Sequence, residues 1–165
     1  IMSDTHDRLP RIDEAVKRMN DEGVDLVIHS GDYISPFVVS HFKPLKAKLV
    51  GVFGNNDAEL DRLRSLFAEI GARVRGRFAE VKAGDVKIAV LHGEEEELLK
   101  SLIEGGCHQV IVHGHTHRAS VRREGETLVI NPGEVCGYLS GESTIAILET
   151  ETLKAEIIHL SLIHI

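Results

Sequence analysis

The sequence predicts an α/β fold, and three observations carry that expectation. Short β-branched runs alternate with amphipathic segments, the early runs end in clusters of Gly, Asp, Asn and His, and paired strands follow residue 118. Residues 10–23 (PRIDEAVKRMNDEG) read as a helix, because Ile12, Val16 and Met19 recur at helical spacing and Gly23 is placed to stop it. Residues 26–30 (LVIHS) and 48–53 (KLVGVF) read as buried strands, with a helix candidate at 35–42 between them. A further helix is expected over 60–71, a strand over 86–92, a helix over 95–106 and a strand over 108–114. The four acids starting at Glu94 fit a helix first turn, where they complement the macrodipole. Arg73, Arg75 and Arg77 would share one solvated face if their stretch is extended. Residues 119–133 and 143–160 read as antiparallel hairpins turning near 124–126 and 149–152.

One domain is expected, over residues 1–159. The 165 residues suffice for a single substantial core, and no linker, repeat or low-complexity segment divides them. A net charge of −7 argues against a surface that coats a polyanion, so nucleic acid is not an expected partner. No apolar run approaches the roughly 20 residues of a transmembrane helix, and no secretory signal is recognisable, so no membrane association is expected. Cys107 and Cys136 are too few for a disulfide framework and read as small buried residues of a cytoplasmic protein. Only "IMS" precedes Asp4, so the strand leading into Asp4 is expected to be truncated. Residues 160–165 (LSLIHI), with His164, are expected to be a non-native tail and carry no functional argument.

The polar groups at the strand ends carry the functional signal. Asp4 and His6 follow the first run, Asp32 the second, and Asn55, Asn56 and Asp57 the third. His92 ends a later run, and His113, His115 and His117 (VHGHTHR) end the last. The carboxyl ends of strands in an α/β sheet lie along one edge, where ligands bind, so these groups would converge. Asp4 and His6 are two apart and would point to one side of an extended backbone. Gly31, Gly54, Gly93 and Gly114 would let tight turns bring backbone close. Alone, each piece has an ordinary reading: DTH as a helix cap, GD and GNND as turns, His92 as a satisfied histidine. Clusters at one strand end after another do not.

In this order, D-x-H (Asp4, His6), G-D (Asp32), G-N-x-D (Asn55, Asp57), H-G (His92) and G-H-x-H (His115, His117) resemble the calcineurin-like metallophosphoesterases. INPGEVCGY at 130–138 and the closing strands are similar to the small, single-domain branch, to which the small retromer subunit is related. The resemblance implies a four-layer αββα sandwich, two mixed β-sheets flanked by helices, with metals at the loops along one edge. It implies that Asp4, His6, Asp32 and His117 hold one metal. Asp32 would bridge to a second, held also by Asn55, His92 and His115. His113 matches no ligand position and reads as a strand-end group. Arg118 reads as a surface residue rather than a phosphate contact.

Four imidazoles and three oxygen donors suit Mn²⁺, Ni²⁺, Fe²⁺, Co²⁺ or Zn²⁺ better than Ca²⁺, with Mn²⁺ the first expectation. Two such cations about 3.5–4 Å apart share a water, lower its pKa and neutralise phosphoryl oxygens. The expected function is a metal-dependent phosphoesterase, a phosphodiesterase before a phosphomonoesterase. Its metal-bridging hydroxide, oriented by Asp32, would attack the phosphorus of a small phosphoester. A homo-oligomer is compatible with this reading. Asn56 departs from the pattern: many relatives carry a histidine acid there, whereas an asparagine can contact substrate but cannot protonate a leaving group. The alternative is a metal-binding protein-interaction scaffold with little or no hydrolysis, and the filled ligand set favours the enzyme. A nuclease is disfavoured by the acidic charge and the lack of a basic, aromatic-rich groove.

Overall fold

The computed structural model describes residues 1–160. Its first part contains α1 (Leu9–Glu22), β1 (Leu26–His29), a 3-10 helix (Pro36–Phe42), β2 (Lys48–Gly51), α2 (Leu60–Glu69) and β3 (Arg73–Val74). Then come β4 (Phe78–Ala83), β5 (Val86–Leu91), α3 (Glu96–Gly105) and β6 (Val110–Val112). The hairpins β7 (Ser120–Glu124) with β8 (Thr127–Asn131) and β9 (Thr144–Glu149) with β10 (Lys154–His159) close the chain. α1 has Pro10 in its first turn, where no intrahelical N–H is needed, and stops at Gly23, which takes the left-handed conformation (φ 66°).

β1, β2 and β3 form a parallel sheet. Met2 bridges His29 in parallel, and the Ala146 N–H donates to the Ile1 carbonyl at 2.9 Å. Residues 1 and 2 therefore stand where a strand between β1 and the β9–β10 hairpin would run, joining the two into one mixed sheet. The second sheet has the order β4-β5-β6-β8-β7, antiparallel in its outer pairs and parallel in its inner ones.

The two-residue period of the strands sorts side chains into layers. Val27 and Leu49 face α1, α2 and the 3-10 helix, among Ile12, Met19, Leu63 and Phe67. Ile28 and Val52 face the other way and meet Ile88, Val90, Val110, Val112 and Ile130 of the second sheet. Ala89, Leu91 and Ile111 turn outward to Leu99, Leu102 and Ile103 of α3. This is the four-layer αββα sandwich, and it lines up the carboxyl ends of β1, β2, β5 and β6 along one edge.

The helix expected over 35–42 is present as a 3-10 helix over Pro36–Phe42, as befits a short connector. Its approach is pinned by the Ser35 N–H and Oγ–H, both donating to Asp7 Oδ1 at 3.0 Å. β4 was not foreseen; only Ala79 and Val81 are buried along it, beside exposed Glu80 and Lys82. Cys107 is exposed, because the chain turns outward at Gly106 after α3. Arg73, Arg75 and Arg77 are exposed, and Arg77 Nη1 also donates to the Gly54 carbonyl at 3.2 Å. Leu160 is buried, and its N–H donates to the Ser143 carbonyl at 2.8 Å. The rest of the expected tail, His164 included, lies outside the described residues. No helix among the described residues is long and apolar enough to cross a membrane.

Candidate metal centre

Five of the seven expected metal ligands meet at this edge. His6 Nε2 lies 3.5 Å from Asp4 Oδ1 and 3.3 Å from Asp32 Oδ2. His92 Nε2 lies 3.3 Å from Asp32 Oδ2 and 3.8 Å from Asp4 Oδ1. His117 Nε2 lies 3.3 Å from Asp4 Oδ1. Asp4 Oδ1 thus faces three imidazoles, and Asp32 Oδ2 faces two.

The side chains converge through turns, not through the extended backbone expected for Asp4 and His6. Positive φ values occur at Asp4 (53°), His6 (40°), Asp32 (63°), His115 (68°) and His117 (61°). Such conformations are costly for residues with a Cβ and persist where surrounding structure over-determines them. Here the loops are stitched together: the Thr5 and His6 N–H groups both donate to the Asp32 carbonyl at 3.1 Å, and Gly114 N–H donates to the His92 carbonyl at 2.8 Å. Two glycines permit the approach. A Cβ on Gly54 would run into Asp32 Oδ1, and one on Gly114 would meet Ser3 Oγ and Asp4 Oδ2. Asp57 ties the loops together, accepting from the Gly54, Asp32 and Ile34 N–H groups.

Burial opposes ionisation of Asp4, but His117 and His6 outweigh it and hold the carboxyl well below the usual carboxylate range. Asp32 is held down likewise, burial being overcome by His6 and His92. Burial also works against the His6 imidazolium, yet Asp32 and Asp4 push its pKa up to about 9. The pKa of His92 is raised against burial by Asp32 and Asp4, and that of His117 mainly by Asp4.

The remaining positions are arranged differently. Asn55 is exposed on the loop after β2. Asn56 is exposed too, but its N–H donates to Asp32 Oδ1 at 3.0 Å and its Nδ2 to Asp32 Oδ2 at 2.8 Å. His115 is half-buried, edge-on to His92 with ring centroids 5.2 Å apart, and its N–H donates to Asp4 Oδ2 at 3.2 Å. His113 stays outside the cluster; burial lowers its pKa to about 4. Arg118 is exposed.

The donor set fits a divalent cation. His92 Nδ1–H donates to the Ser30 carbonyl at 2.9 Å, and His117 Nδ1–H donates to Glu134 Oε2. Fixing Nδ1 in this way leaves Nε2 aimed at the carboxylates, as metal-ligating histidines require. Asp4 Oδ1, His6 Nε2 and His92 Nε2 are buried without a hydrogen-bond partner among the described residues. A single orphaned buried polar group costs about 1–3 kcal/mol, so three in one cluster call for a common partner. Sequence reading gave Glu134 and Asn131 no role. Asn131 Nδ2 donates to the Gly114 carbonyl at 3.1 Å and to Thr116 Oγ1 at 3.0 Å, holding the GHTH turn. Against the effect of burial, the pKa of Glu134 is lowered to about 2 by Ser140, His117 and Cys136.

A family model described as the calcineurin-like phosphoesterase superfamily domain matches residues 1–153. The chain belongs to the calcineurin-like phosphoesterase superfamily. It is 43% identical over 152 residues to a phosphodiesterase of Methanocaldococcus jannaschii, covering 92% of each protein. The solved structure of an archaeal phosphodiesterase matches with a TM-score of 0.92 at 41% identity, covering 96% of this chain and 97% of that one. Vps29 of Entamoeba histolytica, complexed with Zn²⁺, shares the fold at a TM-score of 0.69, covering 97% of each chain. At 18% identity that likeness is one of fold alone. In this calcineurin-like phosphoesterase the matched span holds the whole edge from Asp4 to Glu134.

Proposed function

We propose that the chain is a phosphodiesterase acting on a small phosphoester with two divalent transition-metal ions. Mn²⁺ is the first choice, and Ni²⁺, Fe²⁺, Co²⁺ and Zn²⁺ suit the same donors. The observation that carries this reading is the convergence of Asp4, His6, Asp32, His92 and His117 around unpartnered buried donor atoms. Asp4, His6, Asp32 and His117 would hold one ion, and Asp32, Asn55, His92 and His115 the other. When bound, the ions supply positive charge for the phosphoryl oxygens and lower the pKa of water, making hydroxide available near neutral pH.

The chain's own groups set the geometry. Asp32 is fixed by the backbone N–H and Nδ2 of Asn56 while its Oδ2 faces His6 and His92, so its carboxylate would serve both ions. Asn56 orients Asp32 and offers an amide to the substrate, but it has no proton to give a departing alkoxide. The favoured substrates are therefore diesters with good leaving groups. Cys136 is no nucleophile, since burial pushes its thiol up to about 12. Two isolated cysteines, one exposed, suit a reducing cytoplasm.

Hydrolysis of an aryl phosphodiester by EDTA-stripped protein, as Mn²⁺ is added back, tests this reading. An aryl phosphomonoester and the Asp32→Asn variant run alongside. Mn²⁺-dependent turnover that favours the diester and is lost in Asp32→Asn is the expected result. Tight Mn²⁺ binding without turnover of either ester would overturn it in favour of a metal-binding scaffold.

A further inference from the structure

We propose that Glu134 is a positioning residue of the metal centre, acting through His117. The proposal rests on the metal reading above and goes beyond its ligand set.

Glu134 is fully buried, and its two oxygens have different work. Oε1 accepts from the Leu139 N–H at 2.9 Å, the Ser140 N–H at 2.6 Å and the Ser140 Oγ–H at 2.7 Å. Oε2 accepts from His117 Nδ1–H and from Cys136 Sγ–H, the latter at 3.1 Å. A carboxylate needed only to close the 134–140 turn would find its partners on Oε1. Oε2 instead reaches a ring 17 residues away whose other nitrogen faces Asp4.

The consequence is a fixed tautomer. With Nδ1 donating to Glu134, the lone pair of neutral His117 lies on Nε2, the atom turned toward Asp4 Oδ1. His92 makes the informative contrast, because its Nδ1 donates to the neutral Ser30 carbonyl. An anionic acceptor raises the basicity of the ring more than a carbonyl does, so Glu134 makes His117 the stronger donor. Outer partners of this kind typically contribute about 10–100-fold to metal affinity. Glutamine cannot replace the carboxylate. Its amide must turn NH₂ either toward the Leu139 and Ser140 donors or toward His117 Nδ1–H.

Mn²⁺ titration calorimetry on the EDTA-stripped full chain tests the proposal with wild type, Glu134→Gln, His117→Ala and the double variant. Glu134→Gln is expected to weaken the tight Mn²⁺ step by about 10–100-fold, with no further loss when His117 is already alanine. An unchanged affinity, or an equal loss in both backgrounds, overturns the proposal, the latter because Glu134 would then act on the fold. A wild-type protein that binds no Mn²⁺ would sink the underlying metal reading, a separately recognisable failure. One readout needs no variant: long-range ¹H–¹⁵N NMR of wild-type protein titrated with Zn²⁺ alone. A proton on His117 Nδ1 with a Zn²⁺-shifted Nε2 supports the assignment; the reverse tautomer overturns it.

Discussion

Asp4 and Asp32 are 0% and 1% exposed and face the His92 ring, held by Ser30, and for Asp4 also the His117 ring, held by Glu134, whereas Asn55 and Asn56 stand in the open on the loop after β2. His115 lies between these extremes, half-buried against His92. Backbone makes the difference. The Asp4–His6 and Asp32 turns are cross-bonded to each other, and the His117 ring is locked by a buried carboxylate. Among the described residues, the Asn55 side chain has no hydrogen bond. In the proposed two-ion centre, one half would be preorganised and the other ordered by what binds there, so metal loading should be stepwise. His92 would be the junction, buried beside Asp4 and Asp32 but proposed for the second half.

The largest effect is expected from Asp32→Asn, which would remove the group proposed to serve both halves. Turnover of an aryl phosphodiester should fall by about 1,000-fold, the upper end for losing one preorganised electrostatic group. A modest fall would mean that the halves do not share Asp32. The second test sets the halves against each other. His117→Ala should weaken the tight Mn²⁺ step by more than about 100-fold, beyond the cost of losing an outer partner. His115→Ala should spare that step and weaken the second, as calorimetry would resolve.

Asn56→His sharpens the picture of the open half. An acid at that exposed position should raise turnover of diesters with poor leaving groups by about 100-fold, the lower end for a positioned general acid. Aryl esters should change little, so a plot of rate against leaving-group pKa should flatten. The smallest effect is with pH. In the proposed centre a proton and a cation would compete for His6 Nε2, and Asp32 and Asp4 push the His6 pKa up to about 9 in the metal-free protein. Mn²⁺ affinity should therefore rise with pH toward that value, by about tenfold per unit for each proton displaced. Calorimetry in buffers of different ionisation enthalpy would count the protons released.

Much of this edge was legible because its chemistry demands particular residue types beside glycines at strand ends. The alternation of strands and helices was legible because the two have different periods, whereas the four-layer arrangement came from the resemblance of the ordered motifs. Other features depend on partners that local spacing does not reveal. β3 has only two residues, and β4 buries only Ala79 and Val81, too few apolar positions to set it apart from a loop. The positive φ values at Asp4 and His6 arise from bonds between that turn and Asp32, more than 20 residues on. Glu134 escaped notice because its partners are His117 and Ser140, 17 and 6 residues away, a spacing that marks no motif. Cys107 was misplaced because residue type favours burial while the end of α3 turns the chain outward.

Anomalous diffraction from crystals grown in saturating Mn²⁺ would show directly whether two ions share Asp32. Two peaks about 3.5–4 Å apart should flank the Asp32 carboxylate, the stronger among Asp4, His6 and His117, the weaker beside His92, His115 and Asn55. A single peak, or two peaks of which Asp32 touches only one, would rule out a two-ion centre bridged by Asp32.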